Sequence, residues 1–162
     1  MLPSETMIWQ PEFTDKTLSR KPGAVQLLAF HSRYKLQLLA HSQAGYKEMG
    51  PFVAAIHEWA DLESYFEVYR EKLMAILRKP ASRKNHTNVL MHIQGYFSNC
   101  LNTRQRKELS DVILNYRAGT LPLLAPLTLL KHYLAEYPDD YLLIQNYFHP
   151  YPDELALRLL VN

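Results

Sequence analysis

The residues best suited to chemistry lie in one stretch, Arg83-Lys84-Asn85-His86-Thr87-Asn88-Val89-Leu90-Met91-His92-Ile93-Gln94-Gly95-Tyr96-Phe97. His86 and His92 are candidates for general acid/base work because an imidazole titrates near neutral pH, and Asn88 could orient a small anionic or nucleotide-like ligand. The same stretch reads as a helix with two rows. Val89, Ile93, Phe97 and Leu101 recur every four residues and should face a core. Asn85, Asn88, His92, Gly95 and Asn99 form a second row where a surface helix would carry Lys and Glu, which are better helix formers and cheap to solvate. Gly95 in mid-helix costs about 1 kcal/mol against Ala. A close approach is therefore expected there, by another helix or by a ligand.

Other residues repeat this chemistry. His31 and Lys35 share a helix face at i, i+4, with Arg33 and Tyr34 beside them, and present donors suited to phosphate. Lys131 and His132 repeat the pair on a later segment. Convergence of these groups with Arg83 and Lys84 on one groove would make a polyanion site; alternatively Lys35 and Lys131 only lay their stems along apolar surface. Local metal chelation is not predicted. His86 and His92 are about 120° apart around a helix, and His31 and His41 are roughly 15 Å apart along one. His132 and Glu136 form an i, i+4 pair that would need ligands from other helices. No metal and no cofactor is expected. The five glycines never take Walker or dinucleotide-binding spacing, and Gly-x-Ser-x-Gly and His-Glu-x-x-His are absent. Cys100, the single cysteine, has no base beside it in sequence and reads as a structural thiol.

One cysteine excludes an internal disulfide and a cysteine-based zinc or iron-sulfur site, and suits a reducing compartment. With no signal-peptide run and no long apolar segment, a soluble cytoplasmic protein is expected. The formal net charge is only +2, but its distribution is uneven. From Lys72 to Lys107 there are eight Lys/Arg and no acid, whereas residues 1–71 carry −2 and residues 108–162 carry −4. Such asymmetry fits either a polyanion partner or a solvated basic face balanced by neighbours such as Glu63, Glu67 and Glu71.

The 162 residues suffice for one core. Residues 1–21 read as an N-terminal extension and residues 22–162 as one all-α domain of six to eight helices, since no segment shows a sustained period of two. A helix opens at Pro22 and runs to about Ser42, with Val25, Leu28, Ala29, Ser32, Leu36 and Leu39 as its stripe, widened by Phe30, Tyr34 and Leu38. Gly50-Pro51 marks a stop and a new start, with a helix over Phe52–Trp59. Asp61 caps a helix to about Lys79, and Pro80 ends it. The next runs from about Ser82 to Leu101. Asn102 and Gln105 make a capping box for a helix to Ala118, and Gly119 suits a left-handed cap. Pro126 opens a helix to about Tyr137, Asp139 or Asp140 another to Phe148, and Asp153 a last one to Leu160.

Four blocks resemble one family. Phe30-His31-Ser32-Arg33-Tyr34-Lys35 with Leu38-Leu39-Ala40-His41-Ser42, the stretch Arg83–Phe97, Tyr116-Arg117-Ala118-Gly119-Thr120-Leu121-Pro122-Leu123 with Pro126-Leu127-Thr128-Leu129-Leu130-Lys131-His132-Tyr133, and Pro150-Tyr151-Pro152 are similar to the motifs of the YbgA-type domain of unknown function. The resemblance spans about residues 21–160, and departs where the family's closing motif has Asn and this chain has Leu159. It assigns no reaction. It does imply an association, because the domain also occurs fused to desulfidases of the thiouracil type, which act on thiolated uracil, including 4-thiouridine in tRNA. On that footing the expectation is a tRNA-binding accessory module, with a desulfidase-type protein as a partner and no chemistry of its own. Lys and Arg would meet phosphates, Asn and His would hydrogen-bond, and Tyr would stack. The alternative is an enzyme acting on a small anionic ligand. A third reading makes the polar row a satisfied structural network inside an interaction scaffold.

Overall fold

The computed structural model describes residues 23–149, and these form an all-α domain with no strand among them. The expected extension 1–21, Pro22, the Pro150-Tyr151-Pro152 block and the helix Asp153–Leu160 lie outside the described residues. The elements are α1 (Ala24–His41), α2 (Gln43–Ala54) continued by a 3-10 turn (Ala55–Glu58), α3 (Leu62–Leu77), α4 (Arg83–Tyr96), α5 (Thr103–Ala118), α6 (Leu124–Glu136), the one-turn α7 (Asp140–Leu143) and a second 3-10 turn (Asn146–Phe148).

Helix α1 is central because it feeds two apolar clusters from opposite sides. Leu36, Leu39 and Ala40 join Val89, Ile93, Phe97, Leu109, Ile113, Leu130 and Tyr133 of α4, α5 and α6. Ala24 and Leu38 join Met49, Val53, Ile56, Tyr65, Tyr69 and Ile76 of α2, its 3-10 turn and α3. The expected stripe holds only in the second half of α1. In the first half Val25, Ala29 and Phe30 are exposed while His31 and Lys35 are buried. The packing of α3 explains this, because its Tyr69 hydroxyl meets His31 Nδ1 at 3.1 Å and draws that side of α1 inward.

Local start and stop signals hold where they were expected. Asp61 caps α3 through the N–H groups of Glu63 and Ser64, and Ser82 caps α4 through the N–H of Asn85. Asn102 and Gln105 form the reciprocal capping box of α5, and Gly119 ends that helix at φ 87°. The Gly50-Pro51 break does not occur. Pro51 lies inside α2, and the chain instead breaks at Ser42, which is extended and accepts the Gly45 N–H on Oγ at 3.0 Å. With Met49, Gly50 and Val53 buried, packing outweighs the one hydrogen bond that a proline near a helix end removes. The segment after Asp139 is not one helix either, because Gln145 leaves the helical path between α7 and the second 3-10 turn.

Gln145 leaves that path to reach α1. Its Nε2 donates to the Ser32 carbonyl at 2.6 Å and its Oε1 accepts the Leu36 N–H at 3.2 Å, with the side chain fully buried. Gln145→Leu should destabilise the fold by about 2 kcal/mol, because a buried pair of charge-neutral hydrogen bonds is removed and polar groups lose partners. Urea denaturation showing an unchanged midpoint would refute this.

No helix approaches Gly95: a Cβ there would meet no atom of the described residues within 4 Å, and α4 ends one residue later. The approach occurs at Gly45 instead, where a Cβ would lie 2.5 Å from Ile76 Cγ1 on α3. That atom is held close to the backbone of a stiff β-branched residue and cannot swing clear. Gly45→Ala should therefore lower the melting temperature, whereas Gly95→Ala should leave it unchanged or raise it by up to about 1 kcal/mol of stability. Equal effects at the two positions would contradict this assignment.

Candidate functional site

The chemistry-bearing residues of α4 divide by direction. Arg83 and His86 reach across to other elements and bond there, Arg83 from an exposed position and His86 from a half-buried one. Arg83 Nη1 donates to the Tyr116 carbonyl at 2.6 Å, and its guanidinium lies 4.9 Å from the centre of the Tyr116 ring. His86 Nδ1 and the Tyr147 hydroxyl are 2.8 Å apart. Burial holds the His86 imidazole below its usual pKa, with His41 adding to the effect, while burial raises the Tyr147 phenol. The neutral pair thus has the phenol donating to the ring. Beside them the Asn85 amide donates to the His41 carbonyl at 3.4 Å, and His41 Nδ1 donates to the Lys79 carbonyl at 2.6 Å. The C-terminal ends of α1 and α3 and the start of α4 are knotted together by these bonds.

Lys84, Asn88 and His92 point outward. They follow one another at i, i+4 and i+8, so they lie in one line along α4. Lys84 is exposed and the other two are half-buried, and none of the three makes a hydrogen bond or ion pair among the described residues. Partial burial lowers the His92 pKa. Tyr96 continues the line and stacks on Tyr141 with ring centres 5.5 Å apart. Its phenol is pushed up to about 12 by burial, then by the nearby Asp139 and Tyr46.

The three expected clusters do not converge. His31 is buried against Tyr69 of α3 and Lys35 is buried one turn on, so neither stands open to solvent, whereas Arg33 between them is exposed. On α6, His132 is exposed, with Nε2 3.4 Å from Glu136 Oε1, and Lys131 is half-buried. No group of three His, Cys, Asp or Glu side chains able to hold a metal occurs among the described residues. The Cys100 thiol is exposed at the turn after α4 and so does not pack in the core. Three participants carried no clear signal in the sequence: Tyr116, Gln145 and Tyr147. Only their distant partners identify them, although Tyr116 stands in one of the family blocks.

A family model described as protein of unknown function (DUF1722) matches residues 35–152. The uncharacterized protein YbgA of Escherichia coli (strain K12) is 50% identical over 132 residues, which cover 82% of this chain and 78% of that one. The chain belongs to this YbgA-type family of proteins of unknown function. No solved structure matches significantly.

The inward histidines make stability depend on pH. His31 is lowered from 6.5 to about 4, first by burial and then by Lys35. The unfolded chain therefore binds the extra proton between those values, so the stability is fully present above about pH 6.5 and is lost as pH falls toward 4. The loss should be on the order of 3 kcal/mol by pH 4. Replacing His31→Gln, which can still bond Tyr69, should remove much of this slope in urea titrations at stepped pH. An unchanged slope would count against the assignment.

Proposed function

We propose that this chain is an RNA-binding accessory module, with tRNA as its ligand, working in the cytoplasm beside a desulfidase-type partner and performing no chemistry itself. The observation that carries this reading is electrostatic. All eight Lys/Arg side chains between Lys72 and Lys107 are exposed, and none pairs with an acidic side chain among the described residues. Unneutralised cations of one sign at the surface attract a polyanion and release its counterions on contact. The line Lys84, Asn88 and His92 adds hydrogen-bonding groups that have no partner within the described fold, next to these cations. The family's fusion to desulfidases of the thiouracil type supports the association with thiolated tRNA.

The enzymatic alternative has weaker support. His86 is engaged by Tyr147, and of the two equally half-buried imidazoles only His92 makes no side-chain bond among the described residues. The structural reading accounts for Arg83, His86 and Asn85 but leaves Lys84, Asn88 and His92 unexplained.

Filter binding or fluorescence anisotropy with unmodified and 4-thiouridine-containing tRNA tests the proposal. Affinity should fall steeply with added salt, and Lys84→Ala should weaken binding and reduce the salt slope by about one. Arg83 is a poorer probe because its loss also removes the bond to Tyr116. No tRNA binding at low salt would overturn the proposal.

A further inference from the structure

We propose that the outward face of the α4–α5 hairpin grips the sugar-phosphate backbone of a double-stranded RNA stem at two basic ends. This rests on the RNA-binding reading and adds to it the surface and the form of the ligand. The register of the hairpin follows from three contacts. Arg83 bonds the Tyr116 carbonyl at 2.6 Å, Gln94 Nε2 donates to Ser110 Oγ at 2.7 Å, and Arg106 Nη1 donates to the Ser98 carbonyl at 3.3 Å. The two helices are therefore antiparallel. Lys84 comes beside Arg117 at one end, Lys107 lies at the other beside the turn that holds Asn99, and Met91 comes beside Leu114 between them.

Lys84, Lys107 and Arg117 are exposed and form no ion pair among the described residues. Glu108 stands on the next row of α5, and Asp111, i+4 from Lys107, lies at the edge of the span; both are exposed and pair with none of the three. Ten residues of α5 separate Lys107 from Arg117, which is about 15 Å of helix rise. Measured along a duplex axis, at a rise of ~3.4 Å per base pair, that distance corresponds to roughly four to five base-pair steps. A mononucleotide can reach only one end.

The span between the ends decides the form of the ligand. It presents Asn88, Met91, Gly95, Ser110 and Leu114, with Met91 and Leu114 exposed by 43% and 47%. Gly95 has no neighbour within 4 Å of where a Cβ would be, so the surface stays low there. None of these side chains is aromatic. Single-strand binders stack bases on aromatic side chains, and Tyr96, the exposed aromatic of α4, is turned to the other flank against Tyr141. A duplex instead displays phosphates and 2′-hydroxyls at set spacing, which cations and small polar groups can meet without reaching a base.

The test uses the full chain and anisotropy at low salt with a 12-base-pair RNA duplex, either single strand, the DNA duplex of the same sequence, a mononucleotide and heparin. The RNA duplex should bind tightest and the mononucleotide should not compete. Lys107→Glu and Arg117→Glu, both at exposed positions whose folding is checked by thermal melting, should each weaken duplex binding by about tenfold and lower the salt slope. If tRNA binds but neither variant changes affinity, this face is wrong while the RNA-binding reading stands. A single strand bound as tightly as the duplex overturns the assignment to a stem, and an equally bound DNA duplex overturns the assignment to RNA. Heparin bound as tightly reduces the face to a general polyanion surface and also overturns the proposal. No binding of any RNA removes both this inference and the reading it rests on.

Discussion

The arrangement depends on one buried side-chain amide. Gln145 donates to the carbonyl of Ser32 and accepts the N–H of Leu36, two groups that belong to the same turn of α1 and would ordinarily face each other. A primary amide is suited to this because it carries a donor and an acceptor side by side. Seated there, Gln145 draws the following 3-10 turn onto α1, which brings Tyr147 to His86 and Phe148 into the core shared by α1, α4, α5 and α6. The end of the described chain is thereby tied to its first helix and, through His86, to α4.

Around that clip, side chains usually associated with chemistry perform structural work. His31 is satisfied by Tyr69, His86 by Tyr147, His41 by the Lys79 carbonyl and Arg83 by the Tyr116 carbonyl. No fully buried side-chain nitrogen or oxygen among the described residues lacks a partner. A buried polar network of this kind is worth its desolvation only when complete, and it discriminates strongly between one packing of the helices and another. The start of α4 therefore mixes two requirements. Arg83, Asn85 and His86 hold helices in place, while Lys84, Asn88 and His92, interleaved with them at helical spacing, remain turned to solvent.

Much of the fold was legible from the sequence wherever the governing physics is local. Asp61, Asn102 with Gln105, and Gly119 act within three or four residues, and each does what its type and position implied. Val89 and Ile93 were legible for the same reason, because one helix sets their period, whereas Phe97 and Leu101 are buried although α4 ends at Tyr96, ahead of the expected end at Leu101. Errors fell where a distant element decides. Gly45 and Gly95 look alike in sequence, and only the position of Ile76 makes the first necessary for helix packing and leaves the second without a packing role. Gly50-Pro51 carries a strong stop signal that packing of Met49 and Val53 overrides. The candidate site was half legible: the α4 line was visible, but the expected convergence with His31, Lys35, Lys131 and His132 required interhelical geometry that no local rule supplies.

The amino-acid sequence by itself determined an all-helical domain, most helix ends, its membership of a recognisable family and an acid-free basic segment, since each follows from residue types at short spacing or from charge counting. Tertiary structure alone decided which of those residues face inward. The first half of α1 shows why. Val25, Ala29 and Phe30 are more hydrophobic than His31 and Lys35, yet they remain exposed because α3 offers His31 a hydroxyl partner and no helix among the described residues covers the opposite side. Burial is decided by what packs against a face, and that depends on contacts between residues tens of positions apart.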